Sequence, residues 1–482
     1  MKALCLSVLL LGACASAPQS APEALRVGVG VTDITPPADY PMSGYYHERL
    51  NTGIRDRLHA KAFVFRQGGE RAALVVCDVC GVSAALSNET RRRAALRTGI
   101  PAANIVVAAT HTHTGPDYDR DLKAHLAGTP TPGERGAYIG RLIDAIAQAA
   151  IDADAKAAPL RLQAGIGTQA SEISFNRRFV MKDGLIKTWA NFKDPNVVRA
   201  AGPIDPAVNV LLLRDGAGKA VASLTNFALH LDTLSGTKYS ADYPCDLEES
   251  LRSDFGKEFV SIFGNGCCGD INHVDPRSDQ RNKTDFIGQA LAASVKAAIP
   301  LLADVASPSL AVRRAVVDAP LQVFSKDEVE WAKGIIEQDR AGKKIPFLDE
   351  VKAYKIMAVE ALDSFKNTTV PQVAKKLSTL TFKFDDPLTL PLEVHVIRLG
   401  ADTAIVTLPG EVFVDLGLAI KKASPFKNTF VVELANVDDV IYIPTKEQFA
   451  GGGYEVTNST LKPGGGELLV EAAVRLLREL KP

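Results

Sequence analysis

Apolar runs of strand length recur along this chain, and segments with helical periodicity lie between many of them. The alternation predicts an α/β fold in layers, because each kind of element has an apolar face to bury. Several strand-like runs follow one another without a helix between them, so we expect a mixed β-sheet core with flanking helices. The strand-like runs are LRVGVGVTDI, AKAFVF, AALVVCDV, NIVVAAT, AVNVLLL, VASLTNFAL, EFVSIFG, SLAVRRAVV, LEVHVIRL, TAIVTL and TFVVELA. The helical segments are Ser87 to Arg97, RLIDAIAQAAIDADA, DFIGQALAASVKAAI and GELLVEAAVRLLREL.

Residues 325–375 have a different character. The stretch SKDEVEWAKGIIEQDRAGKKIPFLDEVKAYKIMAVEALDSF reads as two charged amphipathic helices separated by RAGKKIPF. We predict a helical insertion on the main body, with the charge distribution that is typical of a solvated face.

The first 24 residues are predicted to lie outside the fold. An apolar run too short to span a bilayer ends in Leu-Gly-Ala directly before Cys14, which is typical of a bacterial lipoprotein cleavage box. This pattern predicts a signal peptide over 1–13, a lipid anchor on Cys14 and a flexible tether over 14–24. The alternative is a plain secretory signal cleaved after an Ala-x-Ala-like site at 13–15 or 15–17. Both predict export; the lipoprotein reading adds membrane anchoring at the periplasm or cell surface.

Composition argues against several classes of protein. The net charge is -1 and there is no basic stripe, so a nucleic-acid partner is not expected. The five cysteines beyond the first 24 residues are odd in number, and CDVC lies within a buried-strand pattern, so we interpret them as structural thiols. They are Cys77, Cys80, Cys245, Cys267 and Cys268.

Polar residues follow five of the predicted strands, where ligand-binding residues of α/β folds gather. NIVVAAT leads to His111 and His113, VASLTNFAL to His230, and TAIVTLPG to Glu411. Two further runs lead to NGCCGDINHVD and DDVIYIPTKEQFAGGGYE. Imidazole and carboxylate groups arriving on separate strand ends have the composition of a catalytic zinc site. Taken singly, each residue also has a structural explanation, such as a core histidine or a helix-start carboxylate. His395, inside a strand pattern, is interpreted as structural.

Competing catalytic motifs are not supported. A metallo-β-lactamase-like His-x-His-x-Asp-His motif needs Asp and His where this chain has Gly115 and Pro116. Phosphate-loop, dinucleotide-binding and Gly-x-Ser-x-Gly signatures are lacking as well.

With these segments placed, the chain resembles the neutral/alkaline ceramidase family, the non-lysosomal enzymes that hydrolyse the N-acyl bond of ceramide. The similar segments run in order through nearly the whole mature chain, which predicts one catalytic domain over 25–482. They are VGVGVTDITPP, TGIRDRLHAKAFVF, ATHTHTGP, FNRR, NFALH, FGNGCCGDIN, LPGEVF and IYIPTKEQFAGGGYE.

The resemblance implies a Zn²⁺ ion, a lipid-like substrate and two sets of site residues. The zinc would lower the pKa of water toward neutrality for attack on the amide carbonyl, while hydrogen-bond donors hold the developing oxyanion. The implied zinc ligands are His111, His230, Glu411 and Tyr442. The implied substrate-facing groups are His113, Arg177 and Tyr454.

The chain departs from the family pattern in two places. Where the family carries a serine in a Gly-Asp-x-Ser-Pro-Asn-like run, this chain reads GDINHV, with Asn272 at the serine position. Asparagine is not a nucleophile of that kind, but it can orient water or donate to an oxyanion, so Asn272 is a further catalytic candidate. The chain also ends soon after LLVEAAVRLLREL, so we expect the family's C-terminal immunoglobulin-like domain to be absent.

These observations leave three functions open. The first is a zinc amidohydrolase acting on ceramide or a related N-acyl lipid. The second is a zinc hydrolase of the same fold that acts on another exported substrate, an ester or a carbohydrate-linked amide. The third is a non-catalytic surface lipoprotein. A deep apolar shaft beside the metal would favour a lipid substrate, and an open polar cleft would favour a sugar.

Overall fold

The computed structural model describes residues 23–278, 281–364, 388–437 and 439–482. The predicted signal peptide, Cys14 and most of the predicted tether lie outside the described residues, as does the end of the predicted insertion, 365–375. Among the helices described, none combines the length and the apolar composition that crossing a bilayer requires.

Helices and strands alternate through the described chain, and the predicted strand and helix segments all fall on elements of the predicted type. The helices are α1 Ala84–Thr98, α2 Asp119–Leu126, α3 Gly133–Ala155, α4 Tyr243–Phe255, α5 Thr284–Ala298, α6 Lys326–Arg340, α7 Phe347–Ser364, α8 Val414–Ala423, α9 Tyr454–Asn458 and α10 Gly465–Leu480. The strands are β1 Arg26–Asp33, β2 Gly53–Ile54, β3 His59–Gln67, β4 Glu70–Cys77, β5 Ile105–Ala109, β6 Ala158–Pro159, β7 Arg161–Thr168, β8 Phe175–Asn176, β9 Arg178–Met181, β10 Ile186–Thr188, β11 Val197–Ala200, β12 Ala207–Arg214, β13 Ala220–Phe227, β14 Lys238–Tyr239, β15 Val260–Asn265, β16 Ile271–Asn272, β17 Ala303–Asp304, β18 Ala311–Pro320, β19 Thr389–Arg398, β20 Thr403–Thr407, β21 Glu411–Val412, β22 Asn428–Val432 and β23 Tyr442–Ile443.

Three mixed sheets form the framework, which confirms the predicted α/β class with mixed sheets. Their strand orders are β5-β4-β3-β1-β6, β15-β13-β12-β7-β17 and β18-β19-β20-β22. Each sheet is mainly antiparallel, and each ends in one parallel pair: β4 with β5, β13 with β15, and β20 with β22.

One face of each sheet packs into a core that all three sheets share, and the other face is covered by helices. The shared core contains Leu74 and Val106 from the first sheet, Leu224 and Ile262 from the second, and Ile405 and Phe430 from the third. The helices α1 and α3 cover the first sheet, α4 and α5 the second, and α8 and α10 the third. Burial on both faces explains why the strands read as nearly continuous apolar runs.

The parallel edges of the three sheets meet at one place. Strand β15 of the second sheet contacts β4 and β5 of the first and β22 of the third. The chain segments that follow β5, β13 and β20 therefore converge at the carboxyl ends of these strands, where His111, His230 and Glu411 lie.

The helices α6 and α7 lie in the connection between β18 and β19, which pair as antiparallel neighbours. A capping box at Ser325 and Glu328 starts α6, and a small apolar cluster joins the two helices. The interpretation of this pair as a solvated face is incomplete, because the first residue of α7, Phe347, stacks on Tyr454 of the main body with ring centroids 5.5 Å apart. The charged sequence pattern carried no sign of this contact.

Candidate metal centre

His111 is held in one orientation at the end of β5. Its Nδ1 lies 2.6 Å from the carbonyl oxygen of Cys80, and its backbone N–H donates to the carbonyl of Val79 at 3.0 Å. The residue has a φ of 80°, in the left-handed region that side chains other than glycine seldom adopt. Strained backbone of this kind persists where the surroundings fix it, often at functional sites.

His230 has the matching arrangement on the second sheet. Its Nδ1 lies 3.0 Å from the carbonyl oxygen of Cys268. Because a carbonyl oxygen only accepts hydrogen bonds, each neutral ring carries its proton on Nδ1 and keeps an unprotonated Nε2. The Nε2 atoms of His111 and His230 are 3.1 Å apart, so two acceptors face each other.

Glu411 adds a third acceptor to this pair. Its Oε2 lies 3.4 Å from Nε2 of His111 and 3.3 Å from Nε2 of His230, and within the described chain this buried oxygen has no hydrogen-bond partner. Three acceptors that face one another in this way are satisfied together by a cation. Zn²⁺ prefers these ligand types, and zinc-bound histidines usually donate their other ring N–H to a carbonyl or carboxylate. The residues therefore fit a metal ion.

Tyr442 is placed beside Glu411 by strand register. In the short parallel pair of β21 and β23, Glu411 lies directly opposite Tyr442. The hydroxyl of Tyr442 accepts a hydrogen bond from Nη2 of Arg177 at 3.0 Å. Burial, followed by the negative charge of Glu411, holds the pKa of Tyr442 well above its ordinary value. The neighbouring Tyr454, which begins α9, has its ring centroid 5.5 Å from that of Tyr442.

Arg177 is a buried guanidinium fixed on two sides. Its Nε donates to Oε1 of Glu455 at 2.7 Å, and its Nη2 donates to the carbonyl of Gly269 at 2.8 Å as well as to Tyr442. Burial disfavours its charge, but Tyr442 and Glu455 outweigh this and hold the pKa of Arg177 well above its ordinary value. The side chain is thus a rigid, charged donor in the wall of the site.

His113 lies beside the cluster with different surroundings. Its ring packs edge-on against Tyr45, with centroids 6.0 Å apart, and burial lowers its pKa to about 3, assisted by repulsion from His111. Gly44 makes room for it, since a Cβ at that position would lie 2.6 Å from the Cβ of His113. Cys80, His111 and His113 form a second group close enough to hold an ion, but Cys80 Sγ approaches His111 at Nδ1, which already contacts the Cys80 carbonyl.

A cavity of about 590 Å³ opens beside the candidate metal ligands His111, His230 and Glu411, and His230 is part of its wall. Its wall consists of aromatic rings, charged groups and other polar groups, with residues from both the main body and the helical insertion. The lining residues are Gly44, Tyr45, Tyr46, His47, His113, Arg177, Trp189, His230, Asp232, Asp339, Phe347, Glu350, Tyr442 and Tyr454.

Residues 25–284, more than half of the chain, match the family model described as neutral/alkaline non-lysosomal ceramidase, N-terminal. The chain belongs to this ceramidase family. The neutral ceramidase of Pseudomonas aeruginosa is 28% identical over 264 residues, which make up 51% of this chain and 37% of that protein. The neutral ceramidase of Mycobacterium tuberculosis is 34% identical over 215 residues, 42% of this chain and 31% of that protein. The matched stretches thus span well under half the length of these curated relatives.

The fold of the ceramidase family extends further than the matched sequence. A crystal structure of the Pseudomonas aeruginosa neutral ceramidase resembles this structure with a TM-score of 0.67 at 20% identity. The likeness covers 95% of this chain and 75% of that one.

Asn272, the further catalytic candidate, does not line the cavity beside the candidate metal ligands. It lies in β16, where its Oδ1 accepts from the backbone N–H of Val274 at 3.1 Å. It lines a neighbouring cavity of about 480 Å³, whose wall also contains Arg177, Trp189 and Asp232. The other seven predicted site residues lie together: the four predicted metal ligands and, next to them, the three predicted substrate-facing groups. Their roles remain predictions.

Sequence reasoning missed two residues beside this candidate site, Asp232 and Glu433. Asp232, two positions after His230, lines both cavities and lies 3.1 Å from Nδ1 of His273. Its position directly after a ligand-bearing strand was an available signal. Glu433 accepts from the backbone N–H groups of Cys268 at 3.1 Å and Val412 at 2.7 Å, but its place inside an apolar run gave no signal.

Proposed function

We propose that this protein is a zinc-dependent hydrolase that cleaves the N-acyl amide bond of a ceramide-like compound. The shared chemistry of such compounds is an acyl group on an amine whose carrier bears a hydroxyl close by. One observation carries the proposal: two imidazole nitrogens and a carboxylate oxygen, all acceptors, converge within 3.4 Å of one another.

The ligands in this proposal are His111, His230, Glu411 and Tyr442. Bound Zn²⁺ would supply a Lewis acid that polarises a carbonyl and makes water nucleophilic near neutral pH. The contacts of His111 and His230 to backbone carbonyls orient their Nε2 lone pairs for this purpose.

Three donors next to the cluster would hold the amide carbonyl oxygen as negative charge develops on it. Arg177 contributes a fixed positive charge, since Glu455 and the carbonyl of Gly269 prevent it from turning. His113, neutral because its pKa is about 3, and the hydroxyl of Tyr454 contribute uncharged donors. Donors fixed before the reaction stabilise an oxyanion without reorganising.

The direct test combines metal analysis with a panel of N-acyl substrates. Purified protein should hold about one zinc ion per chain and release fatty acid from an N-acyl-sphingosine or a related amide. The His111→Ala and His230→Ala variants should lose both zinc and activity. Metal-replete protein without hydrolysis of any N-acyl compound would refute the proposal and favour a non-catalytic surface protein.

A second candidate, the same-fold hydrolase acting on a carbohydrate-linked amide or an ester, is favoured by the polar and aromatic wall of the cavity and by Asn272. The Asn272→Ser variant distinguishes the role of that position. Because Asn272 lies in the neighbouring cavity, we expect the variant to keep its zinc and to change substrate preference more than kcat. Loss of zinc in this variant would place Asn272 in the metal site.

We also propose that the protein is exported and anchored to a membrane through lipid on Cys14. The support is the sequence Leu-Gly-Ala-Cys at the end of the apolar run. Expression with a radiolabelled fatty acid should label the wild type and not Cys14→Ser. Wild-type protein that incorporates no radiolabel and is cleaved after the Ala-x-Ala-like site at 13–15 or 15–17 would instead support a plain secretory signal.

A further inference from the structure

Three aromatic side chains, here named the aromatic rim, surround the outer part of the cavity: Tyr46, Trp189 and Phe347. They come from separate parts of the chain, and Phe347 from the insertion brings them together. Its ring centroid lies 5.7 Å from that of Tyr46 and 6.1 Å from that of Trp189. The rim continues inward to Tyr454, whose ring is tilted by only 22° against Phe347.

The aromatic rim is left open to solvent. Trp189 is 51% exposed, and Tyr46 and Phe347 are each 41% exposed. Trp189 also has a φ of 62°, in the left-handed region. Its backbone N–H donates to the carbonyl of Arg177 at 2.8 Å, which helps to hold this conformation. Trp189 thus combines a strained backbone with a large exposed ring beside the candidate metal ligands, a combination that is typical of a ligand-binding surface.

Carboxylates lie among these rings. Asp339 and Glu350 of the insertion and Asp232 of the main body line the same cavity, whereas none of its lining residues is Leu, Ile, Val or Met. Carboxylates accept hydrogen bonds from hydroxyl groups. Tyr354 donates to Asp339 at 3.0 Å and Asp232 lies 3.1 Å from Nδ1 of His273, but the remaining carboxylate oxygens depend on water or ligand. A long alkyl chain in this cavity would remove that water and offer no hydrogen bond in its place, which is unfavourable.

We propose that the aromatic rim and the carboxylates beside it bind a hydroxylated ring on the amine side of the scissile bond. The substrate class would be a short-chain N-acylated amino sugar or a compound of that chemistry, in place of a long-chain N-acyl lipid. The inference rests on the proposed amide hydrolysis, because it names the substrate of the same site.

A panel of four compounds tests acyl length and carrier separately. The zinc-loaded protein is given N-acetylglucosamine, N,N′-diacetylchitobiose, N-acetylsphingosine and N-palmitoylsphingosine, and release of the acid is measured. We expect the sugars to have a kcat/KM at least about tenfold above that of N-palmitoylsphingosine. Preference for N-palmitoylsphingosine over both sugars would overturn the inference while leaving the proposed amide hydrolysis intact.

Variants of the aromatic rim test the residues themselves. Trp189→Ala and Phe347→Ala should each raise KM for the sugars by about tenfold with little change in kcat. Phe347→Tyr should restore the KM, since it keeps the ring. Leu348→Ala is the matched control, because Leu348 is 47% exposed on the same helix and does not line the cavity. Equal effects of Phe347→Ala and Leu348→Ala would contradict the proposal.

Binding can be measured without hydrolysis, so the two proposals fail separately. The chain has two tryptophans, and Trp331→Phe leaves Trp189 as the only one. Titration of this variant with N,N′-diacetylchitobiose should give a saturable fluorescence change that weakens when Phe347→Ala is added. If none of the four compounds is hydrolysed, the proposed function fails. The titration then tests the sugar-binding proposal separately, and the absence of a saturable fluorescence change would overturn that proposal.

Discussion

His111 and His113 lie with their Nε2 atoms 3.3 Å apart and their rings nearly perpendicular, at 87°. Only the ring of His111 has its Nδ1 against a backbone carbonyl and its Nε2 near both Glu411 and His230. The ring of His113 packs against Tyr45 and faces the cavity. One strand end therefore supplies two imidazoles with different surroundings.

This difference predicts different consequences of removing each ring. His111→Ala should lose zinc, because a ligand is removed. His113→Ala should keep about one zinc ion per chain but lose about 100-fold in kcat, since an oxyanion donor is removed. Metal analysis and steady-state kinetics on the same preparations check both. Loss of zinc from both variants would show that His113 is also a ligand.

Gly44 is predicted to be essential for the position of His113. Gly44→Ala would place a Cβ 2.6 Å from the Cβ of His113 at a residue whose φ is 102°. We expect reduced kcat with zinc retained, and a loss of about 1–3 kcal/mol in the free energy of unfolding.

Gly218→Ala is the control for backbone strain alone, because Gly218 has a φ of 82° and open space around it. It should lower stability without lowering kcat. If Gly218→Ala and Gly44→Ala had the same effect on kcat, the contact with His113 would not be the cause.

Glu433 is predicted to position ligands without touching the metal. Burial holds its pKa well above the ordinary value, and it joins the backbone of Cys268, whose carbonyl orients His230, to that of Val412, which follows Glu411. Glu433→Ala should weaken zinc binding by about 10–100-fold. A competition titration with a chelator measures this, and Glu433→Gln, which keeps one acceptor, should weaken it less. Unchanged zinc affinity in Glu433→Ala would contradict the positioning role.

Asp78 predicts a pH dependence of stability. Burial raises the pKa of its carboxyl to about 7 from the ordinary 3.8. Between these values the folded state keeps a proton that the unfolded state has released, so stability falls as pH rises through this window, by up to about 1.4 kcal/mol per pH unit. The backbone N–H of His59 donates a hydrogen bond to Asp78 at 2.8 Å. In Asp78→Asn the side chain does not titrate, and its amide oxygen can still accept this hydrogen bond.

The measurement for Asp78 is urea unfolding of both proteins at pH 5 and pH 8. The free energy of unfolding of Asp78→Asn should rise relative to that of the wild type between the two pH values. A constant difference would mean that Asp78 ionises in the folded state as it does in the unfolded chain.

The sequence predicted those parts of the structure that depend on local pattern. Apolar runs identified most strands of the three sheets but not β6, β7 or β17. The rule that functional residues follow strands selected His111, His230 and Glu411. The strands are nearly continuous apolar segments because the sheets are buried on both faces. Since all the strands therefore look alike in sequence, the pattern predicted strand positions but not which strands would pair.

Contacts between distant segments escaped prediction for a physical reason. Phe347 lies in a segment whose charge is typical of solvent exposure, and only the docking of α7 brings its ring to the cavity. Glu433 lies inside the apolar run TFVVELA, where its partners, the backbone groups of Cys268 and Val412, leave no trace in composition. Asn272 was included among the catalytic candidates from the resemblance of GDINHV to the family pattern; it lines the neighbouring cavity, and its role stays a prediction.

The three acceptor side chains lie on segments that follow strands of three different sheets, and these sheets contact one another through the shared apolar core and through hydrogen bonds such as those between Asn226 and Val431. An ion bound by these three side chains would connect segments that are distant in sequence, as a covalent cross-link does. Removing it would take away one link among these segments, so occupancy of this small centre would add to the stability that the apolar core already provides.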